Sequence, residues 1–298
     1  VLVLAGACSG GSKDGSGDPD AGSGSGGLLP VGGGAGGHGG SGQAPWSLPE
    51  GFTEGRFGGF LLGSEIQDGD TDPPELPDGA SGANGEGCGT TIIGIVRDFR
   101  DAHPDFQNDD HCCGIERGIV RGELGADQKP VYAGSNDATT TEANFDQWYR
   151  TDTDVNKPYW LFLNLEPNAG VYTFHSDSFF PLDGAGFGNE DRSHNYHFTT
   201  EIHTKFRYKG GEVFRFTGDD DVFVFINGHL VIDIGGVHGA TSAEVRLDEV
   251  ASEIGIETGN QYDLDLFQAE RRTTESNFRI DTTLELVDCG YVVPDVVR

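Results

Sequence analysis

The sequence has no methionine, only three tryptophans and five cysteines, and just 19 lysines and arginines in 298 residues. Without an initiator, the chain is expected to be a fragment or a processed product. The few cations stand against 49 aspartates and glutamates, a formal net charge of −30. That balance repels nucleic-acid backbones and anionic membrane surfaces, so neither is expected as a partner. No run beyond the first residues is apolar enough to span a membrane. A nucleophile elbow, a Cys–His arrangement and a phosphate-binding loop are all missing. No internal repeat is visible.

Glycine is plentiful. Residues 9–45 hold sixteen Gly and six Ser. Such a stretch buries too little apolar surface to offset its ordering entropy, so a disordered linker is expected, spanning about 30 Å r.m.s.. Ahead of it, apolar Val1 to Ala7 run into Cys8. This is similar to a signal peptide meeting the lipobox of bacterial lipoproteins, although Leu4 stands four residues before the cysteine rather than three. The similarity implies export and lipidation of Cys8 at a bacterial outer membrane or cell surface, with the membrane touched only through that lipid. One acyl chain binds membranes marginally, so multiple acylation is expected.

Four cysteines remain and allow three pairings. Cys88 precedes the strand-rich region and Cys289 follows it, and a Cys88–Cys289 staple is expected. Adjacent Cys112 and Cys113 form a vicinal bridge, stay reduced or pair elsewhere; the sequence leaves this open.

Residues 46–88 carry Pro49, Pro73, Pro74 and Pro77 among many Asp and Gly. Little regular structure is expected there, even around Phe60, Leu61 and Leu62. From residue 89 to 290 β-rich runs follow one another, beginning at Thr91-Ile-Ile-Gly-Ile-Val-Arg97. Phe99 to Asp127 reads as a long irregular insertion, and Phe145 to Tyr149 as a short helical stretch. Strands are predicted at 159–165, 170–175, 203–208, 212–216, 245–247, 261–267 and 278–287. Val222 to Ile226 and His229 to Ile234 flank Asn227-Gly228, which predicts a hairpin with a type I′ turn. Asp248 to Ile254 reads as a helix capped by Asp248 and stopped at Gly255. The pattern predicts an all-β, antiparallel sandwich with one short helix, preceded by the disordered tail and followed by a short tail at 291–298.

Three segments carry a family resemblance. They are Phe180-Pro-Leu-Asp-Gly-Ala-Gly-Phe-Gly-Asn189, His203-Thr-Lys-Phe-Arg-Tyr-Lys-Gly-Gly211, and Phe216-Thr-Gly-Asp-Asp-Asp-Val-Phe-Val-Phe-Ile-Asn-Gly228 running on to His238. Together they resemble the fibro-slime domain family, which includes slime-mould prespore-inducing factors and exported bacterial proteins. That family looks like a branch of the β-sandwich domain first described in anthrax protective antigen, whose flocculin and adhesin members bind glycans through calcium. In those lectins two consecutive Asp joined by a cis peptide bond hold the ion. The resemblance places that pair at Asp219 and Asp220. It leaves Asp221, where Gly is usual, as an added ligand or a disturbance. It names Asn277 as the late-loop ligand by position.

The residues alone point the same way. Three adjacent Asp repel one another, and Ca²⁺ relieves that repulsion while accepting six to eight oxygens. Solvated turn carboxylates are the competing reading. Asp183, in a glycine-shaped loop, and His238, after Gly235-Gly236, are further candidate ligand contacts; a structural hydrogen bond is the competing role for His238. His194, His197, His203 and Glu201 do not match helical His-Glu-x-x-His spacing, so interior hydrogen bonding is expected of them rather than zinc. The functional expectation is therefore a surface-tethered, calcium-dependent module that binds a glycan or extracellular polysaccharide and is not an enzyme. The alternatives are a matrix spacer stapled by calcium and an accessory or catalytic part of a polysaccharide-acting enzyme. Abundant carboxylates keep a glycosidase-like pair open.

Overall fold

The chain divides into two compact units, residues 1–47 and 48–298. The computed structural model describes residues 53–54, 59–67, 70 and 90–290 except Cys112, all in the second unit. The expected linker at 9–45, the expected lipidation at Cys8, the expected C-terminal tail and the Cys88 half of the predicted staple lie outside the described residues. Cys113 is disulfide-bonded. Cys289 packs against Ile93, Trp160 and Phe162.

The architecture is an antiparallel sandwich. Its larger sheet contains β1 (Thr53–Glu54), β2 (Phe60–Glu65), β3 (Thr91–Phe99), β4 (Asn156–Asn164), β7 (Phe198–Arg207), β9 (Asp221–Ile226), β10 (His229–Ile234), β12 (Gln261–Glu270) and β14 (Glu285–Asp288). The order is β1-β2-β4-β3-β7-β12-β9-β10, with β14 beside β7. The smaller sheet contains β5 (Glu166–Asn168), β6 (Val171–Ser176), β8 (Val213–Gly218), β11 (Thr241–Arg246) and β13 (Phe278–Thr282), in the order β11-β8-β13-β6-β5.

Period-two patterning explains the layers. On β9, Val222, Val224 and Ile226 enter the core between the sheets, with Phe174, Phe214, Phe216 and Phe278. Alternate residues Phe223 and Phe225 point to the opposite face. There they are covered by the long segment between β3 and β4, through Phe106, Ile119, Phe145, Trp148 and Tyr149. Both faces of this strand are thus buried, which is why Val222-Phe-Val-Phe-Ile226 reads as a continuous apolar run. Truncating Phe223 to Ala would cost about 3–5 kcal/mol.

The β9–β10 hairpin forms as the sequence predicts. Asn227 and Gly228 both have positive φ, 51° and 76°, and Ile226 pairs with His229. Five expectations need correction. Phe60–Glu65 is a strand paired with β4, because its apolar residues complete the sheet edge. The described residues contain two short α-helices, α1 (Glu142–Asp146) and α2 (Leu247–Val250), and one 3₁₀ turn at Asp109–His111, rather than one helix. Helix α1 lies earlier than the 145–149 stretch, because the Thr141 hydroxyl caps it by accepting from the Asn144 N–H. Asp248 sits inside α2 and does not cap it; its carboxylate accepts instead from the Tyr208 hydroxyl and the Gly211 N–H. Residues 278–287 form two strands, β13 and β14, that belong to different sheets.

Four connections pass between the sheets at one end of the sandwich. They are residues 177–197 (β6 to β7), 219–220 (β8 to β9), 235–240 (β10 to β11) and 271–277 (β12 to β13). Their strand ends are in register: Phe278 pairs with both Ser176 and Gly218, Thr241 with Gly218, and Glu270 with Phe198. Asp183, Asp219, Asp220, His238 and Asn277 all lie on these four crossings. Gly218 lets the 271–277 crossing come close to the end of β8, since a Cβ there would collide with the Asn277 carbonyl.

Candidate functional site

The shortest crossing is Asp219-Asp220 itself, and the bond between the two residues is cis. Asp219 is held from the 271–277 crossing. Its Oδ1 accepts the Asn277 N–H at 2.6 Å and its Oδ2 the Asn277 side-chain amide at 2.7 Å. Its carbonyl accepts from Gln268 Nε2 at 2.8 Å. Asp220 is held by two backbone donors, the His238 N–H at 3.1 Å and the Arg271 N–H at 3.1 Å. The residues named by resemblance, Asp219, Asp220 and Asn277, therefore meet.

Asp221 does not join them. Its Oδ1 accepts the Gly236 N–H and its Oδ2 the Arg271 Nε, each at 2.6 Å. Arg271 is buried, stacks over the Trp148 ring at 4.8 Å and donates to the carbonyls of Asp105 and Ala138. It ties the insertion to the Asp run.

The electrostatics are those of an under-neutralised anionic cluster. Burial pushes the Asp219 carboxyl up, with the Asn277 hydrogen bonds opposing. Burial likewise pushes Asp220 well above the usual carboxylate range, against the attraction of Arg271. Glu270, at the end of β12, is pushed well up by burial and then by Asp220 and Asp219. The Ser276 hydroxyl and the Arg272 N–H, both close to the Glu270 carboxyl, oppose that rise only in part. The Arg271 guanidinium is shared among Asp221, Asp220 and Asp105. Asp219, Asp220 and the Asn277 amide fit a hard cation such as Ca²⁺, which takes carboxylate, amide and carbonyl oxygens in flexible number. Among the described residues no three His, Cys, Asp or Glu side chains converge as a ready cage. The amide of Asn277 and backbone carbonyls would therefore have to contribute.

Beside Asn277 opens a cavity of about 490 Å³. Its floor includes Thr274, Glu275, Ser276 and Asn277, and its wall is aromatic. Phe180 stacks on His194 with ring centroids 4.0 Å apart and 9° between planes, and Tyr196 meets Phe180 edge-on at 5.0 Å. Asp183 sets this wall from behind: its carboxylate receives His194 Nδ1 at 2.7 Å and the Asn195 N–H at 2.8 Å. His238 contributes its backbone N–H to Asp220, while its ring bonds the carbonyls of Gly239 and Ile234.

His203 and Glu201 lie elsewhere, in the sheet interior. His203 bridges Glu201 and Asp265 at 2.6 Å each, and Glu201 also pairs with Arg97 and Lys129. This is the interior hydrogen bonding expected of that histidine. A second cavity of about 490 Å³ lies by the Asn227-Gly228 turn, lined by Asp263, Asp265 and Lys205 among others.

Sequence reasoning missed Glu270, Arg271, Ser276, Phe180 and Tyr196 as site residues. Asn277 pointed to its own loop, and the run Glu270-Arg271-Arg272 before that loop was the one signal available. Among the described residues no helix is long and apolar enough to cross a membrane.

The sequence model of the PA14 domain matches residues 186–296, which take in the Asp run, His238, Glu270 and Asn277. Protein psiQ of Dictyostelium discoideum is 39% identical over 195 residues, covering 60% of this chain and 19% of its own length. Protein psiD of the same organism is 37% identical over 204 residues, covering 63% and 40%. The chain thus spans between about a fifth and two fifths of these relatives. Among solved structures, a PA14 sugar-binding domain from an RTX adhesin covers 67% of this chain and 98% of its own, at 10% identity and a TM-score of 0.29.

Proposed function

We propose that this chain is a calcium-dependent carbohydrate-binding module, a recognition domain rather than an enzyme, exported and tethered through a lipid on Cys8. The observation that carries the reading is the juxtaposition at one sandwich end. A buried Asp219–Asp220 pair, clamped by Asn277, sits at the edge of an open, aromatic-walled cavity floored by that same Asn277. The PA14 match over these residues supports it.

Asp219, Asp220 and the Asn277 amide would hold the ion, with carbonyls of the same crossings. Calcium supplies open coordination positions that suit vicinal sugar hydroxyls. Phe180 and His194 offer a flat apolar face to a pyranose ring, and Ser178, Ser193 and Thr274 offer hydroxyls around it. Asp183 fixes the His194 ring, leaving Nε2 for the ligand. A shallow polar cleft buries little apolar area, so affinity per site is modest, and many tethered copies compensate through avidity.

A glycan array screened with calcium and then with chelator tests the reading. Calcium-dependent retention that Asp219→Asn abolishes supports it. Calcium binding without any retained glycan favours a structural spacer, and turnover of a polysaccharide favours an enzyme.

A further inference from the structure

The cavity beside Asn277 carries a charge that the reading above does not use. Two carboxylates, Asp177 and Glu275, stand in its lining, and no lysine or arginine does. The two are not equivalent. Asp177 already faces the His175 ring at 2.8 Å and acts on the charge of Arg279. Glu275 is exposed on the 271–277 crossing. It stands close to the Asp pair, since after burial its charge adds to the upward push on Asp219. The wall of the same cavity is aromatic, with Tyr196 edge-on to Phe180.

A carboxylate and aromatic faces in one cleft share a preference. The carboxylate attracts a cation and repels an anion, and a π face attracts a cation through its quadrupole. A divalent ion held by Asp219 and Asp220 would be balanced by their two charges, which leaves Glu275 in excess. A uronate or sulfate group would be repelled there, and an N-acetyl group offers no charge. An ammonium group is attracted by the carboxylate and the rings together. We propose that the glycan taken by this cavity is an amino sugar with a free amine, and that Glu275 is the residue that selects it. The proposal rests on the calcium-dependent glycan reading and names the class of sugar within it.

A chain of net charge −30 attracts any polycation, so the test uses short matched ligands and cavity variants. Calorimetry in calcium, at mildly acidic pH and moderate salt, compares three ligands. They are the free-amine and N-acetylated forms of one glucosamine oligosaccharide and a uronic-acid oligosaccharide of the same length. The proteins are wild type, Glu275→Gln, Phe180→Ala and the remote surface control Glu253→Gln. Wild type is expected to bind the amine form about three- to tenfold more tightly than the acetylated form, the scale of one exposed charge contact with one cation–π contact. The uronate should bind most weakly. Glu275→Gln should bring the amine and acetylated forms within about twofold of each other. Glu253→Gln should leave the wild-type ratio, and Phe180→Ala should weaken the amine form. An acetylated form bound as tightly as the amine form by wild type overturns the proposal alone. So does an amine preference that Glu253→Gln lowers as much as Glu275→Gln, or an amine affinity that Phe180→Ala leaves intact, because either reports only the general acidity of the surface. On a glycan array in calcium, retention confined to neutral or anionic glycans overturns the amine and keeps the underlying reading. An array that retains nothing overturns that reading.

Discussion

Asn277 clamps Asp219 with two donors from one residue, its backbone N–H on Oδ1 and its amide on Oδ2. The clamp joins the β8–β9 crossing to the β12–β13 crossing, and it orients a carboxylate that burial alone would disfavour. Calcium should raise the melting temperature by stabilising the folded state, by about 2.7 kcal/mol at one hundred times the dissociation constant. Asp219→Asn and Asp220→Asn are expected to abolish that shift, and Asn277→Ala to reduce it. Scanning calorimetry with and without chelator measures all three; a full shift in Asp219→Asn would refute the site.

The aromatic wall should separate sugar binding from ion binding. Phe180→Ala removes the stacked partner of His194 but no oxygen near Asp219. Glycan retention is expected to fall roughly tenfold, the scale of one aromatic contact, while the calcium shift stays at its wild-type size. Parallel loss of both would show that the wall is part of the ion site.

Arg271 and Asp221 form a fully buried pair. Arg271→Met should cost about 3–5 kcal/mol by leaving Asp221 uncompensated in the interior. The double variant Asp221→Leu with Arg271→Met should recover part of that loss. Urea denaturation of the two singles and the double completes the cycle, and additive losses would contradict the coupling.

Asp98 sets a pH dependence. Burial pushes its carboxyl up to about 7, opposed by the Phe187 N–H and the Asn195 amide, both of which donate to it. Because the folded value lies above the unfolded one, its contribution is fully present below about pH 4 and is lost as pH rises through 7. Between pH 5 and 8 this group should remove about 2 kcal/mol of stability. Asp98→Asn should flatten that part of the profile, read from denaturation midpoints across pH. An unchanged slope would place the proton elsewhere.

The sequence by itself determined the all-β class and the β9–β10 hairpin. Val222-Phe-Val-Phe-Ile226 and Asn227-Gly228 specify a buried strand and a type I′ turn through side-chain alternation and positive φ, both local properties. The Asp run was legible for the same reason, since three like charges in a row are visible without a fold. What the sequence could not show was which of the three Asp is already paired inside the fold. Asp221 is diverted by Arg271, fifty residues away, and Glu270 is desolvated beside Asp219 and Asp220 by burial that only the closed sandwich creates. Nor could it show the strand at Phe60–Glu65, whose apolar residues mean little until β4 offers an edge. The cavity between the wall of Phe180, His194 and Tyr196 and the Thr274–Asn277 floor likewise exists only because the 177–197 and 271–277 crossings meet at one rim. Local chemistry is encoded residue by residue, whereas desolvation and charge pairing depend on which distant segments the sheets bring together.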